Sequence, residues 1–408
     1  MNHYVLERNC VVNKKEKQVS WLEQIKKPGN MLCMILAVIM IIGLFVFSTY
    51  VNRDRDEVDP SSSQLDYAKA VVTNVLEDDA KPDHENAEGR RVGTQELEIR
   101  VTSGKHKGEI MPVTNYMSAM FNIDVEQGDH VVIRVMTDED GSYYASLFNY
   151  DRGLIVGGFI LLFCITLAIL GGKKGIRALL GLIFTISVIW WILIPSVIHG
   201  FSPIVITIST IAITAAASLL LLNGVSKKTL CAILGCVFGV MTAGGLAAIV
   251  THLTPMNGFN MSEAENLILY GADKGMKISG LLVCGVLISA LGAVMDVAMS
   301  IASSIYELHD HDPNMTVKQL FVSGMHIGRD AMGTMANTLI LAFAGSSLNM
   351  LILVQTYNIP FLQLVNTDYI CIEVIQSVAG SMGILLTVPI VAVISSTLIG
   401  NNTRTRSK

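Results

Sequence analysis

Two periodicities divide the chain. Between residues 65 and 150 apolar and polar positions alternate, the period of a strand with one buried face. In Glu96-Leu97-Glu98-Ile99-Arg100-Val101 the alternation is strict, and it returns at Val131, Ile133 and Val135. Turn residues bound these runs: Ser103-Gly104-Lys105-His106-Lys107-Gly108 after the first, Gln127-Gly128-Asp129 before the second. With Tyr67–Leu76, Glu109–Thr114 and Ser142–Phe148 they predict about five short strands, a small barrel of OB-like type. Glu77–Arg91, charged and containing Pro82 and Gly89, is expected to be a mobile loop.

Elsewhere the pattern is that of apolar runs of about 20 residues, the length that crosses a bilayer as a helix. The runs are Met31–Tyr50, Leu154–Leu170, Ala178–Ile198, Pro203–Leu222, Thr229–Val250, Ser279–Ile301, Ala331–Val354 and Ile375–Ile399. The expected fold is therefore a polytopic α-helical membrane protein of about eight transmembrane helices carrying a small extracytoplasmic β-barrel. The expected domains are a cytoplasmic tail (1–30), an anchor helix (31–50), the OB-like domain (51–152), a seven-helix transmembrane domain (153–400) and a second cytoplasmic tail (401–408). The first run also suits a cleaved signal peptide, but its long polar lead and Val46-Phe47-Ser48 favour an uncleaved anchor. Ser262 with Glu265 resembles a capping box and predicts a short interfacial helix.

Composition supports this division. The chain of 408 residues is 51% hydrophobic and 15% charged, with a mean hydropathy of +0.51. Soluble chains carry about 25% charged residues. The net charge of −5 offers nothing to nucleic acid. None of the seven cysteines falls in 51–152, so no disulfide is expected there. Lys and Arg gather in the amino-terminal tail, at Lys173, Lys174 and Arg177, at Lys227 and Lys228, at Lys318 and Arg329, and at the carboxyl terminus. The positive-inside rule then puts both termini in the cytoplasm and 51–152 outside.

The candidate chemistry lies in 292–345. Gly292, Asp296, Ser300, Ser303 and Glu307 recur at helical spacing and share one face. A second helix, starting near Gly324 and running through Arg329, repeats the pattern with Asp330, Gly333, Thr334, Asn337 and Ala344-Gly345. Carboxylates at membrane depth are expensive and normally face a bundle interior or a wet cavity. Asp296 therefore either carries an ion or proton, or is structural, held by hydroxyls or by Arg329. Asn337 and Glu373 are lesser candidates for the same polar cavity. Gly235 and Gly239 form a GxxxG, and with Gly292 and Gly333 they are expected to let helices pack closely. Neither a catalytic set nor a cofactor motif is present: Gly345-Ser346-Ser347 and Gly380-Ser381 have no histidine partner, so no enzyme is expected. Glu307-Leu308-His309-Asp310-His311-Asp312 has metal-ligating residue types, but consecutive residues rarely converge on one ion, and no metal is expected. Tyr143, Tyr144, Phe148 and Tyr150 are expected to anchor at the membrane interface, with ligand binding by the barrel as the alternative.

Several of these pieces, in this order, resemble the YibE/F family of bacterial membrane proteins. They are Ser103-Gly104 with Lys107-Gly108, Gly128-Asp129, Tyr150-Asp151-Arg152, Gly292 through Ser300 with Tyr306-Glu307, and Ile327 through Leu339. The resemblance implies an integral protein of the bacterial cytoplasmic membrane, with the lipid bilayer and a second YibE/F-type membrane protein as partners. It implies no mechanism or substrate. The expected function is transport or permease-like; the alternative is a non-transporting scaffold or sensor whose outer domain binds a ligand or partner.

Overall fold

The computed structural model describes residues 65–138, 141–261, 264–271 and 275–400, with isolated positions 43, 46 and 49. The expected anchor helix 31–50, both tails and Ser262 of the expected capping box lie essentially outside the described residues. Two compact units divide between Ile169 and Leu170.

The first unit is a curled antiparallel sheet of six strands: β1 (Leu65–Asp78), β2 (Lys81–Asp83), β3 (Arg90–Val101), β4 (Ile110–Met117), β5 (His130–Thr137) and β6 (Tyr143–Tyr150). The order is β2-β3-β1-β5-β6, with β4 also on β3, and every pairing is antiparallel. The inward residues are those that the alternation marks: Leu97, Ile99, Val101, Val131, Ile133 and Val135 are all buried. Register shifts between Val72 and Asn74 and between Val75 and Glu77 make β1 bulge, and bulges bend a strand and deepen its twist. The sheet curls into a half-barrel, with no ladder between β4 and β6 among the described residues. Pro112 is tolerated because β4 is an edge strand.

The segment expected to be a mobile loop is instead ordered. β2 pairs with Arg90–Val92 of β3, and Asp83 Oδ1 accepts the amides of Glu85 and Asn86, both at 2.9 Å. Arg91 binds Asp78 at 2.5 Å and Asp124 at 2.9 Å, which ties the insertion to the sheet. Charge identifies such a segment as solvated, but does not reveal that its charges find fixed partners.

The second unit is helical. Its chain begins within α1 (Gly153–Ile198), followed by α2 (Pro203–Asn223), α3 (Lys227–Leu253), α4 (Ala264–Gly271), α5 (Leu281–His311), α6 (Val317–Ser346), α7 (Leu348–Thr356), α8 (Phe361–Leu364) and α9 (Asp368–Gly400). Among the described residues five helices are long and apolar enough to cross a membrane, or six if α6 and α7, bent by 62°, form one broken span. α1 leaves helical geometry at Gly172 (φ 53°, ψ −135°), where the sequence places the link between two spans.

α3, α5 and α9 pack against one another, with α6 on α9 and α5. Glycine makes this possible. A Cβ at Gly235 would strike Val391, and one at Gly239 would strike Thr387, so the GxxxG of α3 is the seat of α9. Gly328 of α6 meets Val388 in the same way. Ser381 donates to the Ala336 carbonyl at 3.3 Å, linking α9 to α6.

Two helix boundaries differ from expectation, and both move the candidate residues. α5 runs on to His311 instead of ending near Ile301, because nothing breaks it before Asp312-Pro313. α6 starts at Val317, capped by Thr316 and Gln319 in a reciprocal capping box, and ends at Ser346. Asp296, Arg329 and Asp330 therefore all occupy the middle of long helices.

Candidate functional site

Three contacts fix the register of α5 against α6. A Cβ at Gly324 would lie 2.5 Å from Ile305, and one at Gly328 would lie 3.3 Å from Ile301. Further along, a Cβ at Gly380 of α9 would sit between Leu339 at 2.9 Å and Ala290 at 3.8 Å. The helices are antiparallel, and a constant rise of about 1.5 Å per residue puts Asp296 level with Gly333, Gly292 with Asn337 and Ser300 with Arg329. One level of the bundle thus gathers most of the sequence candidates. Glu307 lies about 16 Å further along α5, and Glu373, near the start of α9, lies toward the opposite end. These two acids do not join the group.

Among the described residues the grouped side chains are not sealed inside the helical unit. Asp296, Ser300, Arg329, Asp330 and Asn337 are all exposed, as is Glu307. The buried side of α5 is formed by Leu287, Ala290, Val294, Val297, Ala298 and Ile301. At about 100° per residue, Asp296 and Ser300 lie on the side opposite these. Gly324 and Gly328 give α6 its packed side, and Asp330, Gly333 and Asn337 face away from it. A Cβ at Gly292 or Gly333 would meet no atom within 4 Å, so neither glycine sits at a close helix contact among the described residues. A cavity of about 510 Å³ is bordered by Ile204, His252, Asn257 and Ser279; Asp296 does not line it.

Among the described residues Asp296 has no hydrogen bond or ion pair, and neither does the side chain of Arg329, Asp330 or Asn337. Arg329 and Asp330 cannot satisfy each other, because neighbours in a helix point about 100° apart. The hydroxyls beside them are satisfied along the helix: Thr334 donates to the Asp330 carbonyl at 3.3 Å and Thr338 to that of Thr334 at 2.8 Å. Lys228 was visible in the sequence only as a loop charge. It reaches Ser303 at 3.5 Å and lies over the Tyr306 ring. Glu373 is half-buried, and its Oε2 has no partner among the described residues. No set of three or more His, Cys, Asp or Glu side chains there converges as a metal site would.

In the sheet the motif residues hold turns. Ser103 Oγ accepts the Lys69 amide at 2.8 Å, and Asp129 accepts that of Glu126 at 2.9 Å. Asp151 takes Lys69 at 2.7 Å, and this lysine holds its carboxyl below the usual range. The aromatic cluster has partners in its own unit. Tyr143 donates to Glu109 at 2.7 Å, Tyr150 to the Asp124 carbonyl, and Phe148 meets Tyr67 edge-on at 5.1 Å. The Arg134 guanidinium lies 5.9 Å from the Tyr67 ring and 5.6 Å from that of Phe148. Because Tyr67 and Phe148 are exposed, this is an outward aromatic and cationic patch.

Comparison with curated proteins and with solved structures returns no match. Two family models match, in the order of the two units: "YibE/F family N-terminal domain" over residues 64–150 and "YibE/F-like protein" over 159–401. The sheet is the first and the apolar helices lie within the second. The chain belongs to the YibE/F family.

Proposed function

We propose that the protein crosses the membrane about eight times, with both termini in the cytoplasm and residues 51–152 outside, and that it moves a cation or proton by way of Asp296. One observation carries the reading: a carboxylate midway along an apolar helix of 31 residues, with no partner among the described residues. In hydrocarbon such a group needs a proton, a cation, water or another protein surface. The open space at Gly333 on its level, and at Gly292 one turn away, leaves room for one. α1 supports the count of spans, because 46 residues of helix would measure about 69 Å, more than twice the hydrocarbon thickness.

The test is dissipation of a pH gradient, or of a sodium gradient, by the full chain in liposomes carrying a trapped indicator dye. Flux is expected from the wild type, retained in part by Asp296→Glu and lost in Asp296→Asn that folds normally. Equal flux from wild type and Asp296→Asn overturns the reading.

The outward patch of Tyr67, Phe148 and Arg134 favours a second reading, a scaffold or sensor whose outer domain takes a ligand or partner. In that case Asp296→Asn disturbs assembly and carries no flux defect.

A further inference from the structure

The α6 face that contains Arg329, Asp330, Gly333 and Asn337 is unpartnered among the described residues, and its chemistry is self-complementary. After Gly328 no residue of α6 is buried, and α7 buries none. A mid-helix arginine and a mid-helix aspartate, both exposed and unpaired among the described residues, are expensive against lipid. They cannot pair within their own helix. We propose that this face is a two-fold interface between two copies of this chain, in which Arg329 of each copy pairs with Asp330 of the other.

Geometry favours a second copy as the occupant. Two copies inserted the same way are related by a two-fold axis along the membrane normal, so equal residues lie at equal depth. Arg329 and Asp330 differ in depth by about 1.5 Å, within reach of one salt bridge. Viewed down α6, Gly333 and Asn337 form the centre of the face, and Arg329 and Asp330 lie on opposite flanks. Across a parallel two-fold seam opposite flanks meet, as the two flanking positions of a parallel coiled coil do. The two pairs then form at once, and both charges leave the lipid. Gly333, with nothing within 4 Å in its own chain, lets the backbones come close.

The inference does not depend on transport, and its test reads only assembly. Full-length chain in nanodiscs or liposomes is counted by single-molecule photobleaching. The wild type is expected to be dimeric. Arg329→Asp and Asp330→Arg are each expected to lower the dimer fraction about tenfold, and the double exchange to restore it. A monomeric wild type, or a double exchange no better than the single ones, overturns the proposal; the first result leaves the face to a different membrane protein. Where the charge variants fail to fold, oxidative cross-linking of Asn337→Cys in membranes decides. Dimer above the parent chain's background is expected, with none for Met335→Cys on the packed side. Equal yields from the two positions overturn the proposal.

Discussion

Gln95 shows what one residue does for the sheet unit. It is 1% exposed on β3, and its amide nitrogen reaches Asp78 at 3.2 Å, Asp124 at 3.3 Å and the Val125 carbonyl at 3.2 Å. Its oxygen accepts from Asn115 at 3.0 Å. Buried polar groups left without partners cost about 1–3 kcal/mol each, so Gln95→Leu is expected to destabilise the sheet by about that amount. Chemical denaturation followed by proteolysis of the sheet in the full chain checks it, and an unchanged midpoint counts against the network. Acid acts on the same sheet. The Arg91 guanidinium holds Asp78 below the usual carboxylate range, and the Tyr143 hydroxyl does the same for Glu109. A carboxylate lowered in the folded state contributes stability above its unfolded pKa, and this is lost as pH falls through the folded value. Hydrogen-exchange protection of β1 and β3, corrected for intrinsic rates, is expected to hold at neutral pH and to weaken below about pH 4. Protection that does not change on acidification would contradict this.

At the scale of elements, glycine separates packed faces from open ones. Gly239 and Gly292 look alike in sequence, each in an apolar run at helical spacing from other small residues. Yet a Cβ on the first strikes Thr387, and a Cβ on the second meets nothing. Gly239→Ala is expected to cost about 1–3 kcal/mol through overpacking. Gly292→Ala is expected to be neutral or to gain up to about 1 kcal/mol from helix propensity. Thermal unfolding in detergent compares the two, and equal losses would show that α5 is packed on that face as well. The strands with strict alternation, around Leu97 and Ile133, were legible because one buried face imposes the period. The ends of α5 and α6 were less so. Hydropathy marks where a helix is apolar, while the helix stops where its backbone bonding stops, at Asp312 and at Ser347. The stripe of Asp296 and Asp330 was legible as a stripe. Its direction, away from the packed side of each helix, depends on which neighbours the fold supplies, and the spacing of one helix cannot contain that.

The whole molecule combines a half-barrel tied by ion pairs with a helical unit tied by glycines. Among the described residues the unpaired charges midway along its helices, Asp296, Arg329 and Asp330, lie on outward faces. A carboxylate in lipid or in an interface within it behaves unlike one on a solvated surface, and dicyclohexylcarbodiimide distinguishes them because it partitions into apolar phases and reacts with protonated carboxyls. The most direct measurement treats the full chain in native-like membranes with this reagent and maps the adduct by mass spectrometry across all 34 acids. Asp296 is expected to be modified first, with loss of flux in parallel, while Asp83 and Glu88 of the sheet unit remain free. Modification of Asp83 or Glu88 with Asp296 untouched would contradict this.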